Sequence, residues 1–203
     1  MRARVPVVEG ELVRDPDGAV AAAEKVGWPV VLKASRRELA HKSERGLVRL
    51  GVGDPTEVRS VAQELLGDLD PSTAHPDEGV LVLRQIRSTR ELLMGAHRDP
   101  IFGPVVVMGL GGVLAEALDD VSVRPVPIGR GDVEDMISEL RSRAIFGEFR
   151  GERPIDTREV EAVLAALGRL LASDESIESV DLNPVMVEGR SLVAVDALVE
   201  VTA

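Results

Sequence analysis

In the first half of the chain, short apolar runs alternate with amphipathic stretches, and start or stop signals mark the boundaries. Val5–Val8 reads as a short strand. Asp17–Val26 is alanine-rich and stopped by Gly27, which predicts a helix. Val30–Ala34 and Leu47–Val52 are rich in β-branched residues and predict strands. Asp54-Pro55-Thr56-Glu57 offers an N-cap, a proline at the first helical position and a glutamate placed for a capping box. The helix it opens carries Val58, Val61, Ala62 and Leu65 on one face and stops at Gly67. Asp68–Glu78 is polar and contains proline, so it predicts an exposed loop and a boundary between lobes at 1–78 and 79–203.

The second half is richer in strands, predicted at Val80–Arg84, Glu91–Ala96, Val105–Met108, Val123–Val126, Glu178–Leu182 and Ser191–Asp196. Asp132 is the expected cap of one helix, which carries Met136, Ile137 and Leu140. Asp156 and Glu159 open another, whose Val160, Val163, Leu164, Leu167, Leu170 and Leu171 recur at helical spacing and read as core. The expectation is a mixed α/β (α+β) fold of two lobes with a cleft between them.

Composition narrows the chemistry. With no cysteine, disulfides, thiol nucleophiles and thiolate metal sites are excluded. A net charge of −11 with 2% aromatic residues argues against nucleic-acid binding, which needs a basic surface and stacking platforms. An acidic chain still holds a phosphate chain when a few placed lysines and a divalent cation share the charge. No apolar run reaches transmembrane length and no signal peptide is evident, so the expectation is a cytoplasmic protein without membrane contact.

Three local patterns carry chemistry. Lys33 closes the apolar run Val30-Val-Leu32, and a lysine fixed there suits a phosphate oxygen. His41-Lys-Ser43 follows, with Gly46 after it; a neutral imidazole is a nucleophile near neutral pH, and glycine lets backbone approach an anion. Taken alone, these also read as a solvated lysine and a surface histidine. Asp181-Leu-Asn183 would put two oxygen-bearing side chains on one strand face, with Asp196 on the next strand beyond the Glu188-Gly189-Arg190 turn. That set suits Mg²⁺, and equally a capped hairpin with solvated acids. Gly109-Leu-Gly111-Gly112 follows a strand but lacks G-x-G-x-x-G spacing, because position 114 is leucine. No Walker A sequence and no nucleophile-elbow serine occur, and His41, His75 and His97 are scattered singly.

Together the motifs resemble one family. Gly27-Trp-Pro-Val-Val-Leu-Lys33, His41-Lys-Ser43 with Gly46, Glu91-Leu-Leu-Met-Gly95, Asp99-Pro-Ile-Phe-Gly-Pro104, Gly109-Leu-Gly-Gly112 with Glu116, Arg150-Gly151, and Asp181-Leu-Asn-Pro184 with Asp196 run in one order along almost the whole chain. This ordered set is similar to the ATP-grasp β subunit, or β domain, of ADP-forming acyl-CoA synthetases. The resemblance implies an ATP-grasp fold and a ligase that passes phosphate between a histidine and ADP or ATP with Mg²⁺. It implies Lys33 on nucleotide phosphates, His41 as the phosphate-carrying catalytic residue, Glu91 on the nucleotide, and Gly46, Gly111 and Gly112 beside the phosphates. Asn183 and Asp196 would hold the metal, with Asp181 as a further candidate. The partner would be a CoA-binding α subunit or domain, in a hetero-oligomer or a fusion. Leu47 stands where the family has a second glycine, and Leu83-Arg-Gln-Ile86 lacks the family's acidic-Met pattern. These departures point to an alternative, a catalytically degenerate ATP-grasp module with a regulatory or structural role in an acetyltransferase fusion.

Overall fold

A computed structural model describes residues 5–35, 47–67, 75–112 and 118–202. The chain divides into two compact units, Val8–Gln85 and Met1–Val7 with Ile86–Ala203. The division falls after residue 85, because the strand that begins at Gly79 pairs inside the first unit's sheet.

The first unit contains β1 (Gly10–Val13), α1 (Pro16–Val26), β2 (Val30–Ser35), β3 (Val48–Val52), α2 (Pro55–Leu66) and β4 (Gly79–Arg84). Its four strands lie in the order β1-β4-β2-β3, every neighbouring pair antiparallel. Asp15 caps α1 by accepting from Gly18 N–H at 2.7 Å, so the helix starts at Pro16, one residue ahead of the expected start, and Gly27 closes it at φ 88°. Asp54 accepts from Thr56 and Glu57 N–H at 2.8 and 2.9 Å, while Glu57 reaches back to Gly53 N–H, one residue beyond the cap. Ala19, Ala22 and Ala23 bring α1 close to Val30, Leu32, Val80 and Val82, and α2 adds Val58, Ala62 and Leu65 to the same core.

The second unit contains β5 (Glu91–Asp99), β6 (Gly103–Leu110), β7 (Val121–Pro125), α3 (Arg130–Glu139), a 3₁₀ turn (Arg143–Phe146), α4 (Thr157–Ser173), β8 (Ile177–Glu188), β9 (Ser191–Ala194) and β10 (Leu198–Val201). The sheet order is β10-β8-β5-β6-β7, with β9 also on β8. Val5–Val7 belongs with this unit: Pro6 C=O accepts from Ala194 N–H, and Val7 forms an isolated bridge to Ala194 rather than a strand. Asp99 Oδ1 accepts from Ile101 and Phe102 N–H, shaping the β5–β6 turn. Asp156 caps α4 as expected. Asp132 is not the cap of α3; the cap is Gly129, whose N–H donates to the Asp132 carboxylate at 2.8 Å from the third helical position. Glycine has no side chain for the forward half of a box, so only the returning arm forms. The apolar stripe of α4 packs on Leu92, Met94, Val106 and Met108 of the sheet. Arg98 donates to Leu171, Asp174 and Ile177 carbonyls at 2.6–2.8 Å, satisfying the open end of α4.

β8 is the strand that matters for chemistry. Leu92 faces Val185 and Met94 faces Leu182, so β8 carries one residue more than β5 across this interval. That bulge changes the pleat parity. Val180 and Leu182 before it, and Val185 and Val187 after it, all reach the core. Asp181 and Asn183 are left half-buried on the other side.

Candidate functional site

Lys33 lies in β2, the inner strand between β3 and β4, opposite Val48 on one side and Leu81 on the other. Its neighbours Leu32 and Ala34 enter the core, so Lys33 projects to the other face of the sheet. It is nonetheless only 6% exposed. The strand runs on through Ala34 and Ser35, which places the ammonium on regular sheet instead of at a frayed end. His41 and Gly46 lie outside the described residues, as does Glu116.

The remaining candidates gather in the second unit. Glu91 begins β5, and its carbonyl accepts from Gly111 N–H at 2.8 Å where β6 has just ended. The next amide, Gly112 N–H, donates to Asn183 Oδ1 at 3.2 Å. A Cβ on Gly112 would land on the Glu91 carboxylate, and Gly112 has φ +71°, a left-handed backbone that favours glycine. A Cβ on Gly111 would overlap the backbone of Leu92. The glycine pair thus lets the β6 end lie directly against Glu91 and Asn183. Four predicted residues, Glu91 on β5, Asn183 on β8, and Gly111 and Gly112 just past β6, meet in one place.

Asp181 stands two residues before Asn183, opposite Gly95 of β5. Burial, and then the charge of Asp196, push its carboxyl above the ordinary value. Two acids near enough to repel in a half-buried place are the donor chemistry of a divalent cation. Asp196 is not on β9 as expected; that strand stops at Ala194 and Asp196 lies in the connection to β10, its Oδ1 accepting from Ala197 N–H at 2.9 Å. Among the described residues no three histidine, cysteine or carboxylate side chains cluster as a full metal shell. Two carboxylates and an amide oxygen fit Mg²⁺, which keeps water and phosphate oxygens for its other positions. Asn183 Oδ1, already bound once, retains an acceptor lone pair for such a role.

One group was not legible in the sequence. Arg90, directly before Glu91, is 1% exposed. Its Nε donates to Glu152 Oε2 at 3.1 Å, and Nη1 donates to the carbonyls of Ile145 and Gly147 at 3.3 and 3.5 Å. Nη2 lies 3.0 Å from the same glutamate oxygen, near enough for charge attraction but not aligned for a hydrogen bond. In Arg87-Ser-Thr-Arg90 this side chain looks like one more solvated loop cation. The one available hint is its position against the first residue of a strand that bears a candidate ligand.

A family model described as the ATP-grasp domain matches residues 1–201. The chain belongs to the ATP-grasp family. It is 33% identical over 194 residues to the β subunit of acetate–CoA ligase [ADP-forming] I of Pyrococcus furiosus, covering 95% of this chain and 84% of that subunit. It is 36% identical over 186 residues to acetate–CoA ligase [ADP-forming] I of Archaeoglobus fulgidus, covering 91% of this chain but 27% of that longer protein. The structure of dinucleotide forming acetyl-coenzyme A synthetase 1 of Ca. Korarchaeum cryptofilum, in complex with coenzyme A, Ca-AMPCP and HgCl⁺, matches with a TM-score of 0.88 at 34% identity, over 98% of this chain and 87% of that one. The ATP-grasp fold expected from the sequence is therefore the fold observed, with antiparallel sheets in both units. Among the described residues no helix is long and apolar enough to cross a membrane.

Proposed function

We propose that this ATP-grasp chain is the nucleotide-binding, phosphoryl-transferring part of an ADP-forming acyl-CoA synthetase, working in the cytoplasm with a CoA-binding partner subunit or domain. The observation that carries the reading is the likeness to a separate β subunit of such a ligase across nearly the full length of both chains. In this reading Lys33 holds nucleotide phosphates, and His41 carries the phosphoryl group. Glu91, Gly46, Gly111 and Gly112 line the nucleotide, and Asn183, Asp196 and Asp181 hold Mg²⁺. A bound Mg²⁺ would supply neutralisation of phosphate charge; the protein supplies the fixed donors around it.

The residues fit that division of labour. A buried lysine gives a point charge without a long search through rotamers, which suits phosphate oxygens. The Gly112 amide and the Asn183 side chain are already locked to each other, so their arrangement costs no reorganisation when ligand arrives. A histidine serves as carrier because its neutral ring nitrogen can attack the terminal phosphorus of ATP as the P–O bond to ADP breaks, and in the reverse direction the N–P bond breaks as an ADP oxygen takes the phosphoryl group.

The test is direct. Purified chain titrated calorimetrically with ADP and ATP should bind only weakly without Mg²⁺, and the Mg²⁺-dependent part should fall in Lys33→Ala and Asp196→Ala. With the CoA-binding partner present, radiolabelled ATP should then label wild type and not His41→Ala. Nucleotide binding with no labelling of His41 in the assembled complex would reject the carrier role.

A further inference from the structure

We propose that the turn Phe149-Arg150-Gly151-Glu152 is a phosphate-recognition element, with Arg150 as its ligand-binding side chain and Arg90 as its positioning residue. The inference rests on the nucleotide reading above and adds a residue to it. Phe149 N–H donates to Glu152 C=O at 3.2 Å and Glu152 N–H donates to Phe149 C=O at 2.8 Å, closing a two-residue turn. Arg150 has φ +49° and Gly151 φ +80°, the pair of positive values that defines a type I′ turn. Glycine, asparagine and aspartate ordinarily fill the first of these positions. A long, charged, non-glycine residue there is strained, and such strain persists where the surroundings over-determine it.

The surroundings do so here. Glu152, the last residue of the turn, is held by buried Arg90 and by Thr89 Oγ1, which donates to its other oxygen. Arg90 also binds the carbonyls at 145 and 147, and Ile155 N–H donates to Phe146 C=O at 2.9 Å across the base of the segment. The turn is thereby clamped to the residue that precedes Glu91. At its tip the Arg150 guanidinium lies 5.5 Å from the Phe149 ring centroid, steadied by cation–π attraction. Among the described residues Arg150 makes no ion pair, in a chain of net charge −11 where carboxylates outnumber cations. An exposed arginine fork without an internal carboxylate, carried on a clamped turn, suits a phosphate group, which such a fork binds through two parallel hydrogen bonds. That phosphate is either part of the nucleotide or free phosphate.

Arg150→Gly separates use from strain, because glycine adopts the same backbone without cost. The full chain and this variant are compared by thermal melting and by calorimetric titration with Mg-ADP, Mg-ATP and inorganic phosphate. The variant should melt at a higher temperature yet bind at least one probe about tenfold more weakly, the loss expected for a charged hydrogen-bond donor. A loss confined to Mg-ATP assigns the terminal phosphate, a loss on both nucleotides assigns a phosphate they share, and a loss on inorganic phosphate alone assigns the free ion. Arg150→Lys should recover only part of the affinity, since an ammonium keeps the charge and loses the fork. Affinities within twofold of wild type for all three probes overturn the proposal. If Mg-ADP binding then still falls in Asn183→Ala, the nucleotide reading stands without it. A folded wild-type chain that binds none of the probes overturns both.

Discussion

Gly112→Ala offers the sharpest reading of the site, because its two consequences separate. The backbone there has φ +71°, so any Cβ carries the left-handed penalty of about 1–2 kcal/mol. In a chain of this size each kcal/mol lowers the melting temperature by roughly 2–4 °C, which gives a loss of about 2–8 °C. The new methyl would also occupy the place of the Glu91 carboxylate, the movable end of a flexible side chain. Displacing that carboxylate from a ligand removes a charged hydrogen bond worth about 1.5–3 kcal/mol, a tenfold to hundredfold loss of affinity. A double-mutant cycle with Glu91→Ala isolates the two parts by thermal melting and Mg-ATP calorimetry. In the Glu91→Ala background, adding Gly112→Ala should still lower the melting temperature and should leave affinity almost untouched. If it weakens binding equally in both backgrounds, Glu91 is not what the methyl displaces and the reasoning fails. Gly111→Ala is the contrast: its Cβ meets the Leu92 backbone, which cannot swing away, so the loss should appear in folding first.

Two further outcomes test the surroundings. Asp181 has a raised carboxyl value, so the fold favours its protonated form. Its contribution to stability is full below the ordinary carboxylate range and is lost as pH rises through the raised value. Asp181→Asn should therefore melt higher than wild type at neutral pH and equal it near pH 3, while Mg²⁺ should stabilise wild type more than the variant. Leu167→Ala, at a 1% exposed position where α4 meets the sheet, should cost about 2–5 kcal/mol in chemical denaturation and leave the second unit partly unfolded well before wild type.

Helix positions were the most legible part of the sequence, because their ends are written in side chains that bond to nearby backbone. Asp54 and Asp156 were found where they cap, and Gly27 and Gly67 where they stop. Strands on sheet edges were not. β1 is Gly-Glu-Leu-Val, with too few apolar residues to compete with the Val5–Val8 run beside it, and β10 lies exposed along its length, so burial leaves no alternation to read. Asn183 stood out as an oxygen donor two residues from Asp181 on a predicted strand, whereas Glu91, Gly111 and Gly112 became candidates only through the family resemblance. Arg90 was not legible, since nothing local distinguishes a buried arginine from a solvated one; its carboxylate partner, Glu152, is 62 residues away. The lobe division was displaced because the polar stretch before Gly79 marks a loop within a unit, and β4 returns to the first sheet after it.

The bulge in β8 has a consequence for how this region holds together. Residues 177–181 of β8 pair with β10 and 185–188 pair with β9, leaving 182–184 without a register partner on that edge. On the opposite edge, the interval from Leu182 to Val185 faces Met94 to Leu92, where the extra residue sits. Asn183 and Pro184 thus occupy a fault line in the ladder, bridged by Val195 N–H donating to Pro184 C=O at 3.2 Å. Asp196 lies directly beyond that bridge. β5 is the strand that runs past both segments of β8, and a cation held by Asp181, Asn183 and Asp196 would join them on the other edge. Cation occupancy would then reinforce the ladder at the place where its own hydrogen bonding is interrupted.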